Sequence, residues 1–338
     1  VVVCRMGVST LVQTGMKIGL VVCLALLAAP AQALQHHLLI ISGLGGTENY
    51  RQQFTRASSS LVEAALRAGI DNGNILLLSA DPTIETPVRR RQADKATIKQ
   101  ALLEISATAG AEDRLFVVLI GHGNPRGESA VFNLPGPDIS AEEFAEAMSV
   151  FDNRASVIVN TASASGPFLQ PLSRENRVVI TATSSGREYH AALFGELFIA
   201  AFTTMEADRD KDEKISMLEA FDYARREVRR SFETEKRLPT EHALLDDNGD
   251  GTGSLDPGEF KADGALANRT YLQQPPSQET GASSTLITML QRKQSIEQSI
   301  SELKMRRDSL APEKYYAELE ILLVDLALLS REIRAQDG

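Results

Sequence analysis

The sequence predicts an α/β domain built on a doubly wound, mostly parallel sheet between about residues 36 and 183. Three observations carry that prediction. Five short runs, residues 37–42, 74–79, 115–120, 156–160 and 177–183, are rich in Val, Ile and Leu with little polar alternation. Strands covered on both faces read this way, because neither face meets water. Segments of helical length separate the runs, and strand alternating with helix brings successive strands together in parallel.

Taken in order, helices are expected at residues 51–68, 95–108 and 141–150. The third opens on Ser140 with Glu143 three residues on, the pairing of a capping box. The basic triplet Arg89-Arg90-Arg91 reads as a solvated loop. After the fifth strand a helix is expected at 193–205, then two acidic loops with a helix near 219–230 between them. Pro275-Pro276-Ser277 and Gly281-Ala282-Ser283-Ser284 mark a linker over 263–284. Beyond it, residues 286–310 and 312–335 read as two helices split at Ala311-Pro312, with Leu319, Leu322, Leu323, Leu326 and Leu329 at helical spacing. An antiparallel hairpin over 285–338 is the expected form. It would pack on its own domain or make a coiled-coil contact with a protein partner or a second copy. The expected division is thus a leader to residue 33, an α/β domain over 34–205, an acidic-loop region completing it over 206–262, the linker and the hairpin.

The leader sets the expected compartment. Met16-Lys17, an apolar run over 18–29 and Pro30-Ala31-Gln32-Ala33 have the basic, apolar and small-residue order of an export signal, cleaved after Ala33. Residues 1–15 begin without Met and add nothing to that signal, as a start assigned too far upstream would. The apolar run is short for a bilayer and no other segment is long and apolar enough, so a periplasmic or secreted product with no membrane span is expected. Val21-Val22 before Cys23 lacks the small residue that a lipid-anchored cysteine would follow. Cys4 and Cys23 both precede the cleavage point, which leaves the exported chain without disulfide, thiolate metal site or thiol nucleophile. A formal charge of −10 argues against nucleic acid, whose phosphates need basic patches.

Sites in doubly wound sheets form at the carboxyl ends of strands. There the third strand runs into Gly121-His122-Gly123 and the fourth into Thr161-Ala162-Ser163-Ala164-Ser165-Gly166. A His between glycines is free to approach a substrate. A small-residue turn with a hydroxyl lets a nucleophile and backbone N–H groups face one carbonyl. A tight structural turn fits the Gly-His-Gly residues as well.

The order of strand, His-Gly turn, strand, Ala-x-x-Ser-Gly turn resembles the legumain-like (C13) branch of the caspase-fold cysteine peptidases. Two more segments add to the resemblance: Ser42-Gly43-Leu44-Gly45-Gly46-Thr47-Glu48-Asn49-Tyr50-Arg51-Gln52-Gln53, and Ile180-Thr181-Ala182-Thr183-Ser184-Ser185. It spans roughly residues 37–203 and implies a caspase-like sheet. By that resemblance His122 is the general base, Asn49 supports it and Gly123 belongs to the oxyanion hole. Arg51 belongs to the pocket for the residue before the scissile bond, and Glu196 stands in for a pocket acid. Thr161 replaces a pocket glutamate, which removes the basis for a preference for asparagine. Ser163 occupies the position of the nucleophilic cysteine, while Ser165 matches a structural serine. A hydroxyl is far less acidic than a thiol and sits short of where sulfur would reach; a misplacement of about 1 Å can cost on the order of 10²-fold in rate. The expected function is a pseudopeptidase that holds a peptide or protein ligand in the cleft. The alternatives are a serine peptidase with a Ser163/His122 dyad, and a scaffold acting through the C-terminal helices.

Both acidic loops suggest Ca2+. Asp208, Asp210, Asp212, Lys214, Ser216 and Glu219 occupy positions 1, 3, 5, 7, 9 and 12 of an EF-hand loop, with Glu213 at position 6 where glycine is usual. Asp246, Asn248, Asp250 and Thr252 repeat the start of the pattern, with Gly251 at position 6 and Pro257 at position 12, so Asp256 or Glu259 would have to complete the shell. A charged, solvated connection between helices is the competing reading of both. Similar loops follow the sheet in bacterial members of the legumain-like group, and in an exported protein, where calcium is abundant, bound ions would add stability to the fold.

Overall fold

The computed structural model describes residues 34–258, 261–273, 284–307 and 310–336. The expected leader with Cys4 and Cys23, residues 274–283 of the expected linker, and Glu259 lie outside them.

Strands β1 (His36–Ser42), β2 (Ile75–Ser79), β3 (Arg89–Gln92) and β4 (Arg114–Ile120) alternate with helices α1 (Glu48–Arg67) and α2 (Lys95–Thr108). A small antiparallel sheet follows, β5 (Gly123–Arg126), β6 (Ser129–Phe132) and β7 (Ile139–Ser140), then α3 (Ala141–Met148), β8 (Ser156–Asn160), α4 (Leu169–Leu172), β9 (Arg177–Thr181), α5 (Phe194–Thr204) and α6 (Met217–Thr234). Strand β10 (Leu244–Asp246), the short α7 (Ala265–Asn268) and the hairpin of α8 (Ser284–Met305) and α9 (Pro312–Gln336) complete the described chain.

The main sheet has the order β10-β9-β8-β4-β1-β2-β3, parallel throughout except for β10 on β9. Its two faces explain the unbroken apolar runs. Leu38 and Ile40 of β1 point into one core with α1, α5 and α6, whereas Leu39 and Ile41 point into the other with α2 and α3. Polar N-caps fix the helix starts: Asp94 accepts from the Thr97 N–H at 2.8 Å, and capping boxes begin α3 at Ser140 and α6 at Ser216.

The arginine triplet and the short strands differ from expectation. Arg89-Arg90-Arg91 is no loop but the edge strand β3, paired in parallel with β2. Its arginines suit an edge, where charge discourages a further strand, and Arg91 pairs with Glu104 at 2.7 Å. The β5–β7 sheet lies between His122 and α3, and β10 closes the far edge through only three residues. The hairpin buries its own small core of Ile296, Ile300, Leu329 and Ile333, separate from the two cores of the sheet.

Candidate active site

The adjacent strands β4 and β8 end side by side, which brings Gly121-His122-Gly123 against the turn carrying Ser163. Ser163 is buried, 3 % exposed, and its Oγ accepts from the Gly123 N–H at 3.2 Å while its hydroxyl donates to the Gly123 carbonyl at 3.0 Å. A Cβ on Gly123 would lie 2.4 Å from the Ser163 carbonyl oxygen, so only glycine permits this approach. The next residue, Ala164, is held at φ 53°, a left-handed conformation that costs a non-glycine residue on the order of 1 kcal/mol. The Glu188 carbonyl accepts from its N–H at 2.8 Å and helps pin the turn. Ser165 is structural: its Oγ accepts from the Thr183 N–H and lies 3.2 Å from the Thr183 hydroxyl.

His122 is half-buried, its ring edge-on to Tyr50 at 4.5 Å and Phe54 at 5.0 Å between centroids. Burial pulls its pKa below the ordinary imidazole value, and the Gly45 carbonyl, hydrogen-bonded to it, works in the opposite direction. Asn49 is exposed in the first turn of α1, so the hydrogen bond that orients the imidazole comes from Gly45 instead.

A small pocket opens beside His122, walled by Tyr50, Phe54, Thr161, Ala192 and Glu196. It brings Thr161 and Glu196 together with His122. Thr161 is buried and donates its hydroxyl to the Leu119 carbonyl at 2.7 Å, while Glu196 is exposed on the first turn of α5. Arg51 is not among the pocket walls. Its guanidinium binds Glu48 at 2.6 Å and Asp81 at 3.0 Å, beyond the end of β2.

Residues 93–241 match the Peptidase C13 family. That segment, from α2 through α6, is similar to the C13 family. The match contains the His122, Ser163 and α5 segments, while the Asn49-Tyr50-Arg51 segment lies ahead of it. The chain is also similar to the crystal structure of protein GSU0716 from Geobacter sulfurreducens, with 9% identity, a TM-score of 0.40, and coverage of 63% of this chain and 92% of that one. No curated protein matches the chain.

Two carboxylates that sequence reasoning missed brace the cleft. Glu241 is buried, which raises its pKa, and its oxygens accept from the Leu193 and Phe194 N–H groups at 2.9 and 3.1 Å. It thus anchors the start of α5, and with it Glu196. Glu188 accepts from the Ser184 N–H and from the His242 N–H and lies 2.7 Å from the His242 ring. These pairings cross up to 54 residues, so no local pattern announces them.

The two acidic loops share one hydrogen-bond scheme. In the first, Asp208 accepts from Lys211 and Glu213, Asp210 from Asp212, and Asp212 from Lys214. In the second, Asp246 accepts from Gly249 and Gly251, Asn248 from Asp250, and Asp250 from Thr252. Glu213 replaces the usual glycine and still adopts φ 67°. Carboxylate oxygens of Asp208, Asp210 and Asp212 lie within 4.8 Å of one another, and burial raises the Asp212 pKa to about 6, with Asp210 and Glu219 adding to it. Glu219 is occupied in its capping box, with Oε2 accepting from the N–H and hydroxyl of Ser216. In the second loop Asp256 is drawn away to Arg225 at 2.9 Å and to Lys261. Asp263 instead accepts from the Asp247 N–H, and burial together with Asp246, Asp247 and Asp250 raises its pKa to about 6.

Proposed function

We propose that this C13 domain is an exported pseudopeptidase, whose cleft holds a peptide or protein segment without hydrolysing it. The observation that carries this reading is the double tie between Ser163 and Gly123. The hydroxyl proton points at the Gly123 carbonyl, not at an imidazole that would remove it. The Gly123 N–H, the donor an oxyanion needs, is spent on the same oxygen. A serine with neither base nor free oxyanion donor gains little nucleophilicity. The pocket beside His122 keeps a place for a ligand side chain, and the Met16 to Ala33 pattern supports export.

Cleavage of a fluorogenic peptide library, with fluorescence anisotropy for binding, checks the proposal on wild type, Ser163→Ala and Ser163→Cys. Wild type and Ser163→Ala are expected to bind the same peptides and turn over none. Wild-type turnover that disappears in Ser163→Ala would instead establish a serine peptidase.

The acidic loops complete the proposal as Ca2+ sites. The crowding of Asp208, Asp210 and Asp212, and of Asp263 among Asp246 and Asp250, is the repulsion that a divalent cation relieves. Calcium at a hundred times its Kd would stabilise the fold by about 2.7 kcal/mol. A chelator is therefore expected to lower Tm by several degrees, and Asp208→Ala to reduce that shift. An identical Tm with and without chelator removes calcium from the proposal.

A further inference from the structure

Helix α9 carries two apolar faces. Leu319, Leu322, Leu326, Leu329 and Ile333, at alternating spacings of three and four, pack on α8. Tyr316, Ile321, Leu323, Val324 and Leu328 lie on the other side, each between 45% and 62% exposed. They are five of the eleven large apolar side chains exposed among the described residues, on one helix of 25. At 3.6 residues per turn the exposed face has an internal order. Glu320, Val324, Ala327 and Arg331 run along its middle, Ile321 and Leu328 along one margin, and Tyr316 and Leu323 along the other.

We propose that this face is covered by the same face of a second copy of the chain, with the two α9 helices antiparallel about a twofold axis near Val324. A twofold contact must be complementary to its own reversal, and this one is. Reversal about the Val324–Asp325 peptide sets Ile321 against Leu328 on one margin and Leu323 close to its own copy on the other. Along the middle it brings Glu320 to within two residues, about 3 Å of helix rise, of the level of Arg331, within reach of the two long side chains. A parallel pairing would place Glu320 beside Glu320 and Arg331 beside Arg331. The apolar margins supply the attraction, and the central charges select the direction, as a polar residue does inside a coiled coil. The contact uses none of the cleft residues and does not depend on the reading of Ser163.

Sedimentation equilibrium of the compact unit from Ala33 onward is the test. A dimer is expected, and Ile321→Glu with Leu328→Glu should weaken it at least about tenfold while circular dichroism and the main melting transition stay unchanged. Glu320→Arg or Arg331→Glu alone should weaken it, and the two together should restore it. In a unit without other cysteines, Val324→Cys should oxidise to a covalent dimer, whereas Tyr316→Cys, far from the axis, should not. A monomer up to about 100 μM, or a dimer indifferent to the apolar changes, overturns the proposal. Failure of the double charge exchange to restore the dimer overturns the antiparallel pairing.

Discussion

Phe132→Ala is expected to cost about 3–5 kcal/mol, the usual range for emptying a fully buried aromatic site, and to loosen both loops that approach the cleft. Phe132 is 0 % exposed at the end of β6, directly opposite Gly123 in the β5–β6 ladder. A Cβ on Gly43 would come within 2.9 Å of its ring and one on Gly121 within 2.8 Å. The ring therefore fills the space those glycines leave at the ends of β1 and β4. The backbone beside it ties the same loops together, since Asn133 donates to the His122 carbonyl and accepts from the Leu44 N–H. Denaturant unfolding gives the cost, and hydrogen exchange at residues 43–45 and 121–123 reports the loosening. Loss of less than about 1 kcal/mol would mean that the ring is not the support.

The second large effect is an acid transition from His36. This side chain is 2 % exposed in β1, with Nδ1 donating to the Leu272 carbonyl and its ring tilted against Phe116. Burial lowers its pKa from 6.5 to about 4. The unfolded chain then binds a proton through this window while the folded chain does not. Stability is complete above the unfolded pKa and is lost as pH falls from 6.5 toward 4. A shift of this size corresponds to about 3 kcal/mol. His36→Asn keeps a donor for Leu272 and removes the titration. The difference in stability between wild type and His36→Asn should grow with pH across the window and level off above it. A difference independent of pH would show that His36 protonates equally in both states.

The elements legible in the sequence are those whose burial is uniform. Each of β1, β2, β8 and β9 is buried at every residue, so an apolar run marks it. Strand β3 hides in an arginine triplet, because an edge strand owes its backbone pairing to β2 and leaves its side chains in water. The β5–β7 sheet is built from pieces of four, four and two residues, too short for any period to register. The same distinction holds at the cleft. His122 and Ser163 stand out because each ends a strand in a small-residue turn, and the resemblance to C13 peptidases gave them roles. Gly45, Glu188 and Glu241, which orient the ring and hold the walls, act through backbone atoms or across tens of residues. Asp263 was equally hidden, standing seventeen positions after Asp246 and outside the twelve-residue spacing of the loop motif.

Strand β10 finishes the sheet, and its last residue, Asp246, is also the first carboxylate of the second acidic loop. A single backbone position therefore belongs to both the sheet margin and the loop, with Leu245 bridged to Ser254 to fasten the far side of the turn. The loop is less a lid laid over the domain than a hem sewn into its border. Whatever tightens it tightens the border of the sheet, and whatever frays it exposes the open edge of β9 to whatever strand comes next.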